Sequence, residues 1–268
     1  MKPRTVFLAD MTNPEIEAHL RERGEAATVI VPVGSTEQHG PHGPLGTDAL
    51  VPTEIARRVA EERGALVAPT VAYALSYPHA GFTGVVYLRM STFAALIEDL
   101  CANFSRMGFR RIVFLNGHYD NTYALAYACA AAADAGRIAA GARAFPVNYW
   151  DGMTADEGAE FFDPSNGLHA NKGETSAVMA IDPDLVDLDA ANAEMPPFPE
   201  VTNGPAVHTA FFFSSPGSVY RATRSGTWGD ARESNAEFGR RYLDVVTRAT
   251  ARMLDDIERT FEAMPDRS

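Results

Sequence analysis

Two short segments of this 268-residue chain concentrate side chains that bind divalent metals. The first reads Gly34-Ser35-Thr36-Glu37-Gln38-His39-Gly40 and runs on through Pro41-His42 to Thr47-Asp48. The second reads Asn116-Gly117-His118-Tyr119-Asp120-Asn121. In extended backbone, residues i and i+2 point the same way, so Glu37 and His39 face one side together, as do His118 and Asp120. The glycines between His39 and Asp48 let the loop fold back and return Asp48 to the same place. The convergent set Glu37, His39, Asp48, His118 and Asp120 mixes carboxylate oxygen with imidazole nitrogen. Such donors suit Zn²⁺ or Mn²⁺, with iron also admissible, and a shared Asp suits a pair of ions. Either segment alone reads equally well as solvated loop. Two of them, each directly after an apolar run, point to a metal site.

A third segment, Gly167-Leu168-His169-Ala170-Asn171-Lys172-Gly173-Glu174, sets another His and Glu at the mouth of a helix. Glu174 there either complements the helix N-terminus, through the dipole or a capping box, or takes part in catalysis.

These residues need a scaffold, and the flanking sequence supplies one. Short β-branched runs at 27–33, 66–68, 111–115 and 143–147 read as buried strands. Between them the pattern predicts helices over 13–23, 50–63, 92–107 and 121–135. Asn13-Pro14 opens the first, Ser91 is placed to cap the third, and glycines 24, 64 and 108 close three of them. Strands alternating with helices imply a parallel sheet covered on both faces, whose ligands bind at the carboxyl ends of the strands. The region 163–230 is rich in Pro, Gly, Ser and Asn, with one helix expected near 174–181. A long amphipathic helix closes the chain, apolar at Phe238, Tyr242, Val245, Ala249, Met253, Ile257 and Phe261. No repeat or linker interrupts the pattern, so one domain is expected over 1–268.

Composition excludes other classes. The 35 acidic against 23 basic residues give a net charge of −12, and no basic patch is evident, which argues against nucleic acid. No apolar run reaches the ~18 residues that span a bilayer, and no leader pattern opens the chain. A cytoplasmic protein without a membrane partner is expected. Cys101 and Cys129 lie in apolar helical runs and read as buried free thiols, although one disulfide is arithmetically possible.

The three segments together resemble the creatininase (creatinine amidohydrolase) family. The resemblance spans nearly the whole chain: Glu37-Gln-His39-Gly40 with Asp48, Asn116-Gly-His118-Tyr119-Asp120-Asn121, Asn148-Tyr-Trp150-Asp151, His169 through Glu174-Thr-Ser, and Pro183-Asp-Leu-Val-Asp-Leu-Asp189. It implies a three-layer α/β/α sandwich with a mostly parallel central sheet, two divalent ions per chain and a homo-oligomer, in this family commonly a hexamer. By the same resemblance Glu37, Asp48 and His118 match the ligands of one ion. His39, the shared Asp48 and the carboxylate at 120 match those of the second. His169 and Glu174 match the acid–base pair, while Tyr119 and Trp150 are the aromatics that could meet a planar substrate; Trp150 reads equally as core. At position 120 the family enzyme carries Glu, so Asp120 is one methylene shorter. The Trp and the acid that help enclose creatinine are missing from the stretch before His169, which here reads Ser165-Asn-Gly-Leu168.

The expected activity is therefore hydrolysis of a C–N bond in a small, cyclic amide by a metal-bridging hydroxide, with a substrate other than creatinine. A deformylase or peptide-trimming hydrolase of the same family is the alternative. A non-catalytic nucleotide-binding module is the rival from another class, and no phosphate-cradling glycine motif supports it. His42 is either a supporting or a surface-loop residue, His208 is a weak candidate, and His19 is expected to face solvent. The run Phe211–Phe213 lines either a pocket or a subunit contact.

Overall fold

A computed structural model describes residues 4–161, 167–202 and 204–264 of the chain. Four strands form a parallel sheet: β1 (Thr28–Val33), β2 (Leu66–Val67), β3 (Arg111–Asn116) and β4 (Arg143–Asn148), in the spatial order β2-β1-β3-β4. The helices α1 (Asn13–Arg23), α2 (Thr47–Arg63), α3 (Met90–Met107) and α4 (Thr122–Asp134) alternate with them. Side chains alternate across the pleat and feed two separate cores. Ile30, Val113 and Leu115 pack with Val51, Ile55 and Val59 of α2. Val29, Val31, Ile112 and Phe114 pack on the opposite face with Phe93 and Ile97 of α3 and Leu125 of α4. Each large side chain buried this way contributes roughly 1.5–3 kcal/mol, so the strands hold both helical layers in place. The result is the expected α/β/α sandwich.

The second half holds α5 (Ala155–Phe161), β5 (Gly167–His169), α6 (Lys172–Ile181), β6 (Ala193–Glu194), α7 (Gly204–Ser214), α8 (Ser218–Ala222), β7 (Trp228–Asp230) and α9 (Ala236–Ala263). The last helix lays Tyr242, Leu243 and Val246 into the core beside α2, with Phe238, Val245, Met253 and Ile257 packed at its margin. No helix among the described residues is long and apolar enough to cross a membrane. Cys101 and Cys129 are buried free thiols.

Several expectations need correction. Among the described residues, region 163–230 carries three α-helices rather than one, and a small antiparallel sheet in the order β5-β7-β6. Strands of two and three residues leave no readable alternation, which is why the pattern missed them. The second helix begins at Thr47, a full turn earlier than its apolar periodicity, so Asp48 lies in its first turn. The third begins at Met90 after Arg89, and Ser91 is not its cap. His19 is buried on α1 rather than facing solvent.

The α6–α9 contact sets where the start of α6 lies. Gly239 of α9 sits so close to α6 that a β-carbon there would fall 1.8 Å from the Ser176 carbonyl oxygen. Ser176 Oγ also accepts from the Asn235 amide at 3.1 Å. Gly239→Ala is therefore expected to push the helices apart and cost at least about 1–3 kcal/mol. Thermal unfolding checks this: a melting temperature equal to wild type would show that the contact is slack.

Candidate metal centre

Strands β1 and β3 are neighbours in register, with Val33 level with Asn116 and Asn116 level with Asn148 of β4. The chain leaves β1 through α2 on one face and β3 through α4 on the other. A crevice opens where connections diverge in this way, at the carboxyl ends of the strands. Both ligand-bearing segments start there. The chain approaches closely as well: a β-carbon on Gly34 would lie 2.2 Å from the Asp48 carbonyl oxygen. Pro52, four residues after Asp48, has no N–H to give that carbonyl its helical bond. Asn121 ties the two segments, its amide donating to the Gly34 carbonyl at 3.0 Å while its oxygen accepts from the Leu75 amide at 3.1 Å.

Asp48 is the centre of the arrangement. Its Oδ1 lies 3.2 Å from His39 Nε2, and its Oδ2 lies 3.0 Å from His118 Nδ1. Ser35 Oγ donates to that second oxygen at 2.8 Å. Glu37 stands beyond His118: its Oε2 is 3.3 Å from His118 Nε2 and accepts from Ser76 Oγ at 2.6 Å. Three sets of potential ligand atoms fall within 4.8 Å of one another: Glu37 with Asp48 and His118, His39 with Asp48 and Glu174, and Glu37 with His39 and His169. All of these side chains are buried or nearly so. His39 Nε2 and His118 Nε2 are buried without a hydrogen bond, as is Asp120 Oδ2. Orphaned buried nitrogens beside carboxylates are what a cation site leaves when only protein atoms are considered, so the residues fit divalent ions.

The third segment arrives from the small sheet. His169 ends β5, and its Nε2 lies 2.7 Å from the Gln38 carbonyl oxygen. That acceptor requires the proton on Nε2 and leaves Nδ1 open, 3.6 Å from Glu37 Oε1. The Gln38 side-chain amide sits 3.0 Å from His79 Nδ1 and 3.1 Å from the Gly226 carbonyl. His79 Nε2 lies 3.6 Å from Glu37 Oε1. Asn171 caps α6, its oxygen accepting from the Glu174 amide at 3.1 Å. Glu174 Oε2 reaches back to accept from the Ala170 amide at 2.7 Å and stands 4.0 Å from His39 Nε2. Ala170 takes a φ of 52°, a region that is uncommon for a residue with a β-carbon. It is held there between His169 and the α6 cap.

Of the sequence-predicted residues, Glu37, His39, Asp48, His118, His169 and Glu174 come together. Asp120 lies on the His118 side, 3.5 Å from His118 Nε2, and belongs to none of the three ligand sets. Glu174 bonds to the backbone next to His169 rather than to its ring. Tyr119 is 55% exposed, and Trp150 packs against Tyr149 and the core under the sheet. His42 is buried with Nε2 on Thr175 Oγ1 at 3.0 Å, which corrects its surface-loop reading. His208 stacks on Phe198 near Phe211 and Phe212, outside the ligand sets. Ser165 falls outside the described residues. The sequence does not single out Ser35, Ser76 or Gln38 for the site, and His79 stands out only by its likeness to the family histidine that precedes a Phe-Pro-Gly-Thr turn. Ser35 and Gln38 carry a local signal by sitting inside the Gly34–His39 run.

Charge is strongly coupled here. Burial raises Glu37 to about 8, against the pull of His118. Burial opposes the charge on His39, but Asp48 and Glu174 beside it lift it to about 9. His118 is likewise desolvated, yet Glu37 and Asp120 hold it well above the usual range. Asp48 stays well below the ordinary carboxylate range despite burial, because His39 and His118 flank it. His169 goes the other way, down to about 3, through burial and the nearby His39 charge. Without metal at pH 7, Glu37, His39 and His118 therefore hold protons that a metal must displace, since ligation needs a free lone pair. Zinc uptake at pH 7 is expected to release on the order of three protons per chain, with affinity rising as pH approaches 9. An indicator dye in weak buffer measures this, and zinc uptake without acidification would contradict it.

Comparison with known proteins agrees with the fold. The creatinine amidohydrolase family profile matches residues 9–254. The creatinine amidohydrolase of Pseudomonas putida is 31% identical over 265 residues, covering 92% of this chain and 95% of its own. A mycofactocin precursor peptide peptidase of Mycolicibacterium smegmatis is 39% identical over 170 residues, 60% of each chain. Two solved creatininases, a Zn-Zn type mutant and a manganese form, superpose with TM-scores of 0.80 and 0.79 at 29% and 28% identity; each covers 94% of this chain and 98% of its own. With level strand ends, buried carboxylate–imidazole sets and a match along nearly its whole length, the chain belongs to the creatininase family of hydrolases.

Proposed function

We propose that the protein is a binuclear-metal-dependent amidohydrolase that cleaves a C–N bond in a small, cyclic amide. The observation that carries this reading is the Asp48 carboxylate, whose two oxygens face different histidines, each within a separate ligand set. Glu37, Asp48 Oδ2 and His118 would hold one ion; His39 and Asp48 Oδ1 would hold the other. Divalent ions in such a pair lower the pKa of bound water and take up charge on a substrate carbonyl. The zinc and manganese forms of the creatininase relatives support either metal.

The protein's own groups handle the proton and the position. His169 is neutral at pH 7 and its Nε2–H is committed to the Gln38 carbonyl, so Nδ1 is the atom free to take a proton at the site. Transfer of that proton to the departing nitrogen completes the cleavage. Gln38 fixes the ring's tautomer, and the Ala170–Glu174 bond fixes the backbone behind it. Ser35 and Ser76 orient the Asp48 and Glu37 carboxylates, an arrangement that sharpens metal ligands by restricting their rotation. Tyr119 and Leu168, both exposed and each next to a site histidine in the chain, are the residues that would meet substrate.

The test is metal dependence. Chelation should abolish amide hydrolysis and zinc or manganese should restore it, and Asp48→Ala should lower both activity and metal content more than any other single change, because two ions lose a ligand at once. Full activity in metal-stripped protein would overturn the reading. So would two ions per chain in Asp48→Ala.

Substrate is the second question. The missing Trp and acid before His169 should weaken creatinine binding on the order of a hundredfold, so kcat/KM for creatinine is expected below ~10⁴ M⁻¹s⁻¹. The peptidase relatives favour peptide trimming as the second reading. A panel of cyclic ureides, formamides and short peptides, followed by amine or ammonia release, separates the two; efficient turnover of creatinine would show that the loop change is neutral.

A further inference from the structure

We propose that Asn116 is the positioning residue that holds His118 ready for a divalent cation, its amide oriented by a relay of side chains across the ends of three parallel strands. The inference rests on the metal reading above and adds a residue that lies outside the ligand sets. Asn116 ends β3 and is fully buried. Its Oδ1 accepts from the His118 amide at 3.1 Å and from Asn121 Nδ2 at 3.3 Å. The first bond forms an Asx turn, in which a side-chain oxygen takes the N–H two residues on and turns the chain out of the strand. That bond sets the backbone from which the His118 imidazole reaches Glu37 and Asp48.

The nitrogen of the same amide is equally committed. Asn116 Nδ2 donates to Asn148 Oδ1 at 2.8 Å, and the two residues are level on neighbouring strands. Thr122 Oγ1 stands at 3.4 Å as a second acceptor. Asn148 Nδ2 in turn donates to Asp151 Oδ2 at 2.7 Å. On the far side, Asn121 donates to the Gly34 carbonyl and accepts from the Leu75 amide. The relay therefore runs from Asp151 through Asn148, Asn116 and Asn121 to the chain leaving β1.

Its ends fix its direction. A carboxylate accepts and a backbone N–H donates, so neither end can change role. Asp151 requires Asn148 to face it with NH₂, which leaves the Asn148 oxygen for Asn116. The His118 amide requires the Asn116 oxygen. Turning any one of the three amides over sets like groups against each other on both of its sides. An apolar residue of the same size would satisfy packing at a buried strand end. What it lacks is the oxygen that receives His118.

Zinc titration of wild type, Asn116→Leu, Asn116→Asp and Asn148→Ala tests the assignment. Melting of the metal-free forms is the fold check, and the visible spectrum of the cobalt-loaded protein reports coordination geometry. Asn116→Asp keeps the accepting oxygen and is expected to bind zinc at least as tightly as wild type, with the wild-type cobalt bands. Asn116→Leu is expected to bind about 10–100-fold more weakly, the range for losing a partner that orients a metal ligand, with altered bands. A role in packing alone predicts the reverse order, since a carboxylate is costlier to bury than a leucine. Asn148→Ala, at a half-buried position, frees the Asn116 amide without changing it. It is expected to weaken zinc binding by a smaller factor, and it decides the matter if Asn116→Leu does not fold. A folded Asn116→Leu with wild-type affinity and bands overturns the proposal. So does Asn116→Asp binding as weakly as Asn116→Leu, or, where the leucine variant is unfolded, Asn148→Ala indistinguishable from wild type. A wild type that takes up no zinc overturns the metal reading itself and the assignment with it.

Discussion

Burying the Asp48 carboxylate is the constraint around which the rest of the molecule is arranged. A carboxylate taken from water costs several kcal/mol unless it is paired and hydrogen-bonded. Here both oxygens are compensated, one by His39 and the other by His118 and the Ser35 hydroxyl. Each compensating histidine sits on the loop that follows a different strand, so the charge is satisfied only when β1 and β3 end at the same level. The register, which sets Val33 beside Asn116, provides that level. Function and fold thus share one requirement, since the arrangement that tolerates the buried charge also offers it to cations.

The two faces of the sheet divide the work. The α2 side supplies Asp48 from a helix start, held against Gly34 by close backbone approach. The opposite side, with α3 and α4, buries Phe93, Ile97, Phe114 and Leu125 and keeps β3 in place. The candidate ligands follow closely after β1 and β3 or stand in the first turn of α2, so each is tied to a regular element. Such anchoring lets a site keep orphaned nitrogens such as His39 Nε2 without collapse around them.

His169 and Glu174 belong to a different structural unit. They arrive on β5 and the first turn of α6, braced by β7 and by the tight α6–α9 contact at Gly239. The strained Ala170 between them keeps the histidine and the helix cap from relaxing independently. Gln38 joins the two units, because its carbonyl fixes the His169 proton while the neighbouring residues 37 and 39 are themselves candidate ligands. The proposed acid–base group and the candidate cation ligands are therefore joined through one segment of backbone.

Much of this was legible along the chain. Short β-branched runs located the four parallel strands, and cap and stop residues the helices around them, because strands buried on both faces are apolar throughout and helix ends need particular residues. The i, i+2 pairs Glu37/His39 and His118/Asp120 marked both strand-end segments, since extended backbone aims alternate residues together. Other features had no such local trace. The strands β5, β6 and β7 are too short to alternate, and the start of α2 at Thr47 is fixed by the loop's return, not by apolar periodicity. The burial of His19 and the choice between the two readings of His42 have no local trace, because burial of a lone histidine depends on what the chain later folds over it. Ser76 and His79 come from the loop before α3, far from either motif, and reach Glu37 only through tertiary packing. The same limit separates Asp120 from Glu174. Sequence order sets Asp120 two residues from His118 and Glu174 more than fifty away, yet Glu174 stands 4.0 Å from His39 Nε2, because distance in space is decided by where the small sheet docks.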